Sequence, residues 1–90
     1  MPLHARGLRA STVVLKPGAV MGWHSTQARE ELLIALKGQV RVEVNGLLRR
    51  IHRIPLNAGQ CVFLPHRTLH RVVNRSSARA SYLYVTAPTR

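Results

Sequence analysis

The sequence predicts an all-β protein, built as a sandwich or a small barrel of about eight short strands. Apolar and polar residues alternate with period two along most of the 90-residue chain, which is the spacing of a strand with one buried face. Turn-forming pairs such as Pro17-Gly18 and Asn45-Gly46 recur between these stretches. No segment shows the sustained spacing that an amphipathic helix requires.

The first half of the chain divides into strands at its turn residues. The first strand lies within residues 10–16 and ends at the Pro-Gly turn, and the second spans 21–26. Residues 32–36 are apolar on both faces, so they predict a strand that is covered on each side. Gly38 ends this strand.

The second half begins with a clean alternation over residues 39–44, in which three valines face one way while Arg41 and Glu43 face water. Asn45-Gly46 then predicts a hairpin, with residues 47–55 as its returning strand. The remaining strands are predicted at 61–64, 69–73 and within 80–86.

Length and composition indicate one small globular domain over residues 1–90. No apolar run approaches the roughly 18 residues that span a bilayer. The N-terminal residues 1–9 lack the apolar stretch of a signal peptide, so we expect a cytoplasmic protein with no membrane partner. Cys61 is the only cysteine, which excludes an intrachain disulfide, and its apolar neighbours predict a buried, inert thiol.

The net charge of +11 is what a nucleic-acid-binding protein would show. However, the arginines are scattered along the chain, and aromatic residues make up only 4% of it, too few for a base-stacking platform. We therefore expect no specific nucleic-acid partner, only weak adsorption that salt reverses.

Two histidines and one carboxylate are spaced as a metal site would require. His24 and Glu31 are seven residues apart, so they share a face only if a turn lies between them. His70 opens a later strand. Such a set binds first-row divalent metals and leaves coordination positions open. Alternatively, each histidine is an ordinary surface or core residue, and Glu31 pairs with a nearby arginine.

The strand at residues 32–36 also predicts self-association. If Glu31 points into a barrel, then Leu32, Ile34 and Leu36 point outward. Three large aliphatic side chains on an outer face need a cover, and we predict that a second copy of the chain provides it as a homodimer.

The two runs around these residues resemble the motifs of the cupin superfamily. Its first motif is Gly, five residues, His-x-His, three or four residues, Glu, six residues, Gly, and its second is Gly, five residues, Pro-x-Gly, two residues, His, three residues, Asn. Thr26 stands where the second His of the first motif would be, and Arg67 stands at a Gly position of the second. The matching residues are Gly18, His24, Glu31 and Gly38 in the first motif and Gly59, Pro65, His70 and Asn74 in the second.

The resemblance covers residues 18–74 and is to small, single-domain cupins. It implies a single jelly-roll β-barrel in which His24, Glu31 and His70 bind a divalent metal such as Mn, Fe, Ni or Zn. Thr26 is a poor ligand, so one coordination position is lost or left to water. Arg67 is expected at a turn that favours positive φ. His66, its neighbour, is interpreted as a rim residue rather than a ligand.

These features give two hypotheses of different class, beside a third in which the chain is a basic interaction protein that works through its surface charge. The first is a metal-binding cupin that acts on, or senses, a small organic molecule, and the sequence does not decide whether it is an enzyme. The second is a metal-free cupin module that binds a small ligand without catalysis. An anionic ligand is favoured if an arginine such as Arg41, Arg49 or Arg53 reaches the rim, and Trp23 is expected to border the mouth. Tyr82 and Tyr84 line one wall or pack the core.

Overall fold

The computed structural model describes residues 5–89 except the side chain of Leu47, and in that range it contains eight strands and one 3-10 turn. Residues 1–4 and 90 of the predicted domain lie outside the described part. Within it, no helix has the length and apolarity needed to cross a membrane. The elements are β1 (Arg9–Leu15), β2 (Val20–Ser25), β3 (Arg29–Lys37), β4 (Gln39–Asn45), the 3-10 turn (Leu47–Arg49), β5 (Ile51–Asn57), β6 (Cys61–Leu64), β7 (Leu69–Val73) and β8 (Ala80–Pro88).

The strands form two four-stranded antiparallel sheets. The first sheet has the order β1-β8-β3-β6 and the second has the order β2-β7-β4-β5. The pairing is nested, because β1 pairs with β8, β2 with β7, β3 with β6 and β4 with β5. A long hairpin that rolls up on itself produces this pattern, which is the jelly roll. The predicted all-β, jelly-roll fold class is confirmed.

One hydrophobic core lies between the two sheets. Alternate residues of β3 point into it, with Leu33 and Ala35 almost fully buried. The valines of β4 meet them from the second sheet, as the alternation predicts. The buried members are Leu15, Leu33, Ala35, Val40, Val42, Leu56, Leu64, Val72, Ala80 and Tyr82.

The hairpin between β4 and β5 is longer than the sequence predicts. Asn45 stays in the ladder opposite Ile51, so the loop covers five residues, 46–50. The positive φ values fall on Leu48 and Arg49 rather than on the Asn-Gly pair, where a two-residue turn would need them. The returning strand therefore begins at Ile51 and not at residue 47.

The outer face of the first sheet is apolar. Leu32, Ile34 and Leu36 point outward from β3 as predicted, and Leu36 is 47% exposed. Phe63 on β6 lies opposite Leu32 and is 75% exposed. Cys61 shares this side of β6, and its predicted burial is wrong. The apolar run at residues 61–64 alternates, so only Val62 and Leu64 face the core.

Candidate metal centre

His24 and His70 lie side by side on neighbouring strands of the second sheet. They are direct partners in the β2–β7 ladder, and their ring centroids are 4.2 Å apart. Met21 and His24 are three positions apart, so a regular strand would place them on opposite faces. A register shift between them lets Met21 and His24 both face the interior. His70 is fully buried, whereas His24 is exposed.

Glu31 reaches the same interior from the first sheet. The turn that the sequence requires between His24 and Glu31 is present, because β2 ends at Ser25 and β3 begins at Arg29. In this turn Gln27 adopts a φ of 57°, and the Arg29 N–H donates to the Thr26 carbonyl at 3.1 Å. Glu31 then occupies an inward position of β3 next to the core.

The three predicted ligands come together in one cluster. One ligand atom from each of His24, Glu31 and His70 lies within 4.8 Å of the other two, and His70 Nε2 is 3.2 Å from Glu31 Oε2. Side-chain adjustments of about 1 Å would bring these atoms onto a single ion with bonds near 2.1 Å. The donor set therefore fits one divalent transition metal. Glu31 pairs with His70 and not with an arginine, so that alternative is wrong.

Backbone carbonyls fix both imidazole rings in the orientation that ligation needs. His24 Nδ1 lies 2.8 Å from the Gly22 carbonyl, and His70 Nδ1 lies 3.1 Å from the Thr68 carbonyl. A carbonyl can only accept a hydrogen bond, so Nδ1 carries the proton on each ring. In the neutral ring the lone pair is then on Nε2, which is the arrangement seen for histidines that bind metals.

The proton affinity of His70 reflects its contact with Glu31. Burial disfavours the charged imidazole, but the contacts with Glu31 and with the Thr68 carbonyl outweigh burial, so the pKa of His70 is raised above its usual value. The Glu31–His70 pair therefore favours a positive charge at this buried position. A divalent cation is a second way to supply that charge.

A cavity of about 250 Å³ surrounds the cluster. Tyr82 and Tyr84 both line it, and Tyr82 is also a core residue, so both interpretations of Tyr82 hold. Burial and the nearby charge of Glu31 raise the pKa of Tyr82 to about 12. The phenol therefore stays protonated at neutral pH and can donate a hydrogen bond. The lining residues are Met21, His24, Glu31, His70, Val72, Tyr82 and Tyr84.

Thr26, at the position of the second motif histidine, lies outside the cluster. It is buried just beyond the end of β2, where its hydroxyl donates to the Pro65 carbonyl at 2.7 Å and accepts from the Thr68 N–H at 2.9 Å. Threonine therefore joins β2 to the loop before β7 and contributes no ligand atom. That loop in turn supplies the carbonyl that orients His70.

The loop before β7 has the backbone conformation expected at Arg67. Arg67 adopts a φ of 53°, and its N–H donates to the Gln27 carbonyl at 2.8 Å, so the glycine position of the motif keeps its left-handed backbone. His66 is exposed and takes no part in the cluster among the described residues.

At the mouth of the cavity, one expectation is wrong and one condition is not met. Trp23 does not border it; the residue follows the bulge in β2 onto the outer face of the second sheet, where its ring lies 4.7 Å from the Arg71 guanidinium carbon. Arg41 and Arg53 do not reach the rim either, because both bind Glu43 on that outer face. None of these residues, nor Arg49, lines the cavity.

Sequence reasoning missed the ion cluster around Glu43. Glu43 was expected in water, yet its side chain is 0% exposed. Arg71 contacts Glu43 Oε1 at 2.6 Å, and Arg41 contacts Oε2 at 2.8 Å. Arg53 is the third partner, at 3.4 Å. The hairpin signal could have revealed part of the cluster, because that hairpin sets Glu43 opposite Arg53.

Together the fold and the site define a small jelly-roll domain with two histidines and one carboxylate facing its interior. The family described as "Cupin domain" matches residues 11–86. The chain therefore belongs to the cupin domain family, as its two motifs suggested. No curated protein matches the sequence.

Solved structures resemble the whole described fold. A Cupin 2 conserved barrel domain protein from Salinispora arenicola is 27% identical with a TM-score of 0.81, over 99% of this chain and 70% of that one. A Thermus thermophilus protein, TT1209, is 28% identical with a TM-score of 0.82, over 96% of this chain and 77% of that one. An oxalate oxidase in complex with glycolate has a TM-score of 0.84 at 20% identity, and the match spans 91% of this chain but only 42% of that protein.

Proposed function

We propose that this chain is a metal-binding cupin that holds a divalent transition metal inside the jelly roll and acts on, or senses, a small organic molecule. The observation that carries the proposal is the convergence of His24, Glu31 and His70 from two sheets, with ligand atoms within 4.8 Å of one another. Mn, Fe, Ni and Zn all accept such a donor set.

The chain's own residues would then have separate tasks. The Gly22 and Thr68 carbonyls hold the two rings with Nε2 toward the ion, and Glu31 offsets part of its charge. Three protein ligands leave positions for water or a ligand, and a metal bound there would supply Lewis-acid chemistry. Tyr82, which stays protonated at neutral pH, is a donor for an oxygen atom of the ligand.

The ligand that this cavity favours is small. A volume of about 250 Å³ falls just below the roughly 300–1,000 Å³ typical of drug-sized ligand sites. In the complex of an oxalate oxidase with glycolate, a protein of the same fold binds a small carboxylate. A small oxygen-rich acid is consistent with an open metal position beside a phenol donor.

Metal analysis tests the proposal directly. Untagged protein is stripped with a chelator, incubated separately with Mn, Fe, Ni and Zn, and desalted. We expect about one equivalent of bound metal and a higher melting temperature, since a ligand that binds only the folded state stabilises it. Less than about a tenth of an equivalent of each metal would instead favour the metal-free binding module.

Matched histidine variants identify the ligands. We expect His70→Ala to lose both metal binding and the metal-dependent rise in melting temperature. His66→Ala removes an exposed histidine from the preceding loop and should leave both unchanged. Equal metal binding by the two variants would show that the ion is held elsewhere.

We also propose that two copies associate through the outer face of the first sheet. This face carries Leu36 and the strongly exposed Phe63, and a recess of about 450 Å³ lies beside Phe63. The outward strand positions of this sheet include no arginine, although the chain has a net charge of +11. Two copies can therefore approach there with less charge repulsion than elsewhere.

A further inference from the structure

The outer face of the second sheet carries a concentration of positive charge that one acidic residue only partly balances. Glu43 is surrounded by Arg41, Arg53 and Arg71, so one carboxylate faces three guanidinium groups. The other two acids of the chain, Glu30 and Glu31, belong to β3 in the first sheet. Among the described residues, two positive charges of the cluster are therefore left without a carboxylate partner.

Two adjoining recesses open beside this cluster. We define the arginine groove as the pair of recesses that share Arg41 and Arg75, with volumes of about 380 and 370 Å³. Arg71 lines the larger of the two. No acidic residue lines either recess. Across residues 5–89, no carboxylate lies within salt-bridge distance of Arg75, so its charge adds to the excess.

The arginines on the two sides of the groove are held in place before any ligand arrives. Glu43 binds Arg71 through both Nε and Nη2, while the Trp23 ring covers the Arg71 guanidinium at 4.7 Å. Arg41 is fixed by one contact from Nη2 to Glu43 at 2.8 Å. Each guanidinium has five N–H donors, so both retain donors for a further acceptor. This arrangement makes Glu43 a positioning residue.

Asn74 fixes the turn that carries Arg75. The Asn74 side chain is fully buried and donates to the Leu15 carbonyl at 3.0 Å and to the Ala78 carbonyl at 2.8 Å. Its backbone N–H donates to the Ala19 carbonyl at 3.0 Å. Arg75 follows directly, so its backbone is anchored to both the end of β1 and the following turn.

We propose that the arginine groove binds the phosphate group of a small molecule. Guanidinium groups bind phosphate through paired, charge-assisted hydrogen bonds, and several of them around one site favour a dianion over a monocarboxylate. Each recess has room for a phosphate and a small organic group beside it. The groove lies on the outer face of the sheet whose inner face carries His24 and His70, so it is separate from the candidate metal centre.

The sole tryptophan gives the test a direct readout. Trp23 stacks on Arg71, so a ligand that shifts Arg71 changes the intrinsic fluorescence. Metal-stripped protein is titrated with inorganic phosphate and with pyrophosphate at about 0.15 M KCl, and calorimetry checks the result. We expect saturable binding with one site per chain, whether or not the protein binds metal.

Matched charge variants separate a built site from general attraction. Arg75→Gln should weaken phosphate binding roughly ten-fold or more, because charged hydrogen bonds are lost. Arg50→Gln removes the same charge from the exposed β4–β5 loop and should change binding less than about two-fold. Equal effects of the two variants, or binding that does not saturate, would overturn the proposal.

A titration with nucleic acid completes the experiment. A short single-stranded oligonucleotide is titrated under the same conditions into the wild-type protein and both variants. We expect its binding to be weak and equally sensitive to both substitutions. If instead the oligonucleotide binds tightly and depends on Arg75, while phosphate and pyrophosphate do not bind, the groove is a nucleic-acid site and our assignment is wrong.

Discussion

Glu43 shows how much one side chain can depend on its neighbours across a sheet. Burial opposes its ionisation, but the hydrogen bond from Arg71 and the charges of Arg41, Arg71 and Arg53 outweigh burial, so the pKa of Glu43 lies below its ordinary value. A group with a depressed folded-state pKa stabilises the protein above its unfolded pKa, and that contribution is lost as the pH falls through the folded value.

We therefore predict a pH-dependent cost for Glu43→Gln. At pH 7 the variant should lose about 1–2 kcal/mol of unfolding free energy, because charge-assisted hydrogen bonds to the three arginines are lost while these partly exposed guanidinium groups remain solvated. Below the ordinary carboxyl value of 4.5, the wild-type protein loses the same contribution and the difference should shrink. Urea unfolding at neutral and acidic pH measures both quantities.

Glu30→Gln is the control for this experiment, because Glu30 is exposed. Its unfolding free energy should stay within about 0.5 kcal/mol of the wild-type value at both pH values. A gap between Glu43→Gln and the wild type that stays constant with pH would contradict the proposed charge state of Glu43.

At the scale of secondary structure, the β3–β4 connection is a tightly packed point of the fold. Gly38 alone joins the two strands, with a φ of 71°. A Cβ added there would lie 2.8 Å from the Arg79 carbonyl oxygen. This glycine therefore serves both a backbone conformation and a close approach between chain segments.

We predict that Gly38→Ala destabilises the protein more than Gly18→Ala does. Gly18 has a similar φ of 78°, but a Cβ there would meet nothing within 4 Å. Both variants incur strain from positive φ, so their difference isolates the steric clash, which we expect to cost roughly 1–3 kcal/mol. Chemical denaturation measures the difference, and equal stability of the two variants would refute a clash at Gly38.

The elements also show what the sequence can predict. Every strand was expected within a few residues, because period-two alternation and turn residues act locally. The convergence of His24, Glu31 and His70 was expected from motif spacing. Glu43 and Cys61 were misjudged because their burial depends on partners from other strands and on which face is covered. Trp23 was misplaced although it directly precedes His24, because neighbouring residues of a strand point to opposite faces.

The interior and the two outer faces of the molecule differ in the side chains they carry. The interior holds the candidate metal centre, the outer face of the second sheet carries the arginine cluster around Glu43, and the outer face of the first sheet is apolar. A chain of 90 residues with a net charge of +11 therefore does not present one uniform basic surface. The sequence alone indicated the total charge but not this division, which depends on how the strands are paired.

We predict that Phe63→Ser shifts the protein from dimer to monomer. Two phenyl rings leave the proposed interface, each worth about 1.5–3 kcal/mol, so the dimer dissociation constant should rise at least roughly a hundred-fold. Leu48→Ser, in a loop position that is 88% exposed, should leave the assembly unchanged. Sedimentation velocity distinguishes these outcomes, and a wild-type monomer at micromolar concentration would end the dimer proposal.

The carbonyls that orient the two rings belong to Gly22 and Thr68, each two positions before the histidine it serves. Because these acceptors are main-chain atoms, exchanging neighbouring side chains cannot delete them. Protein engineers could thus randomise Met21, Val72 and Tyr84 in a library that selects for new substrates, while both imidazole rings keep their orientation. A change that moves the Gly22 or Thr68 backbone would disturb it, such as an insertion, a deletion or the loss of the Thr26 hydroxyl that holds the loop of Thr68.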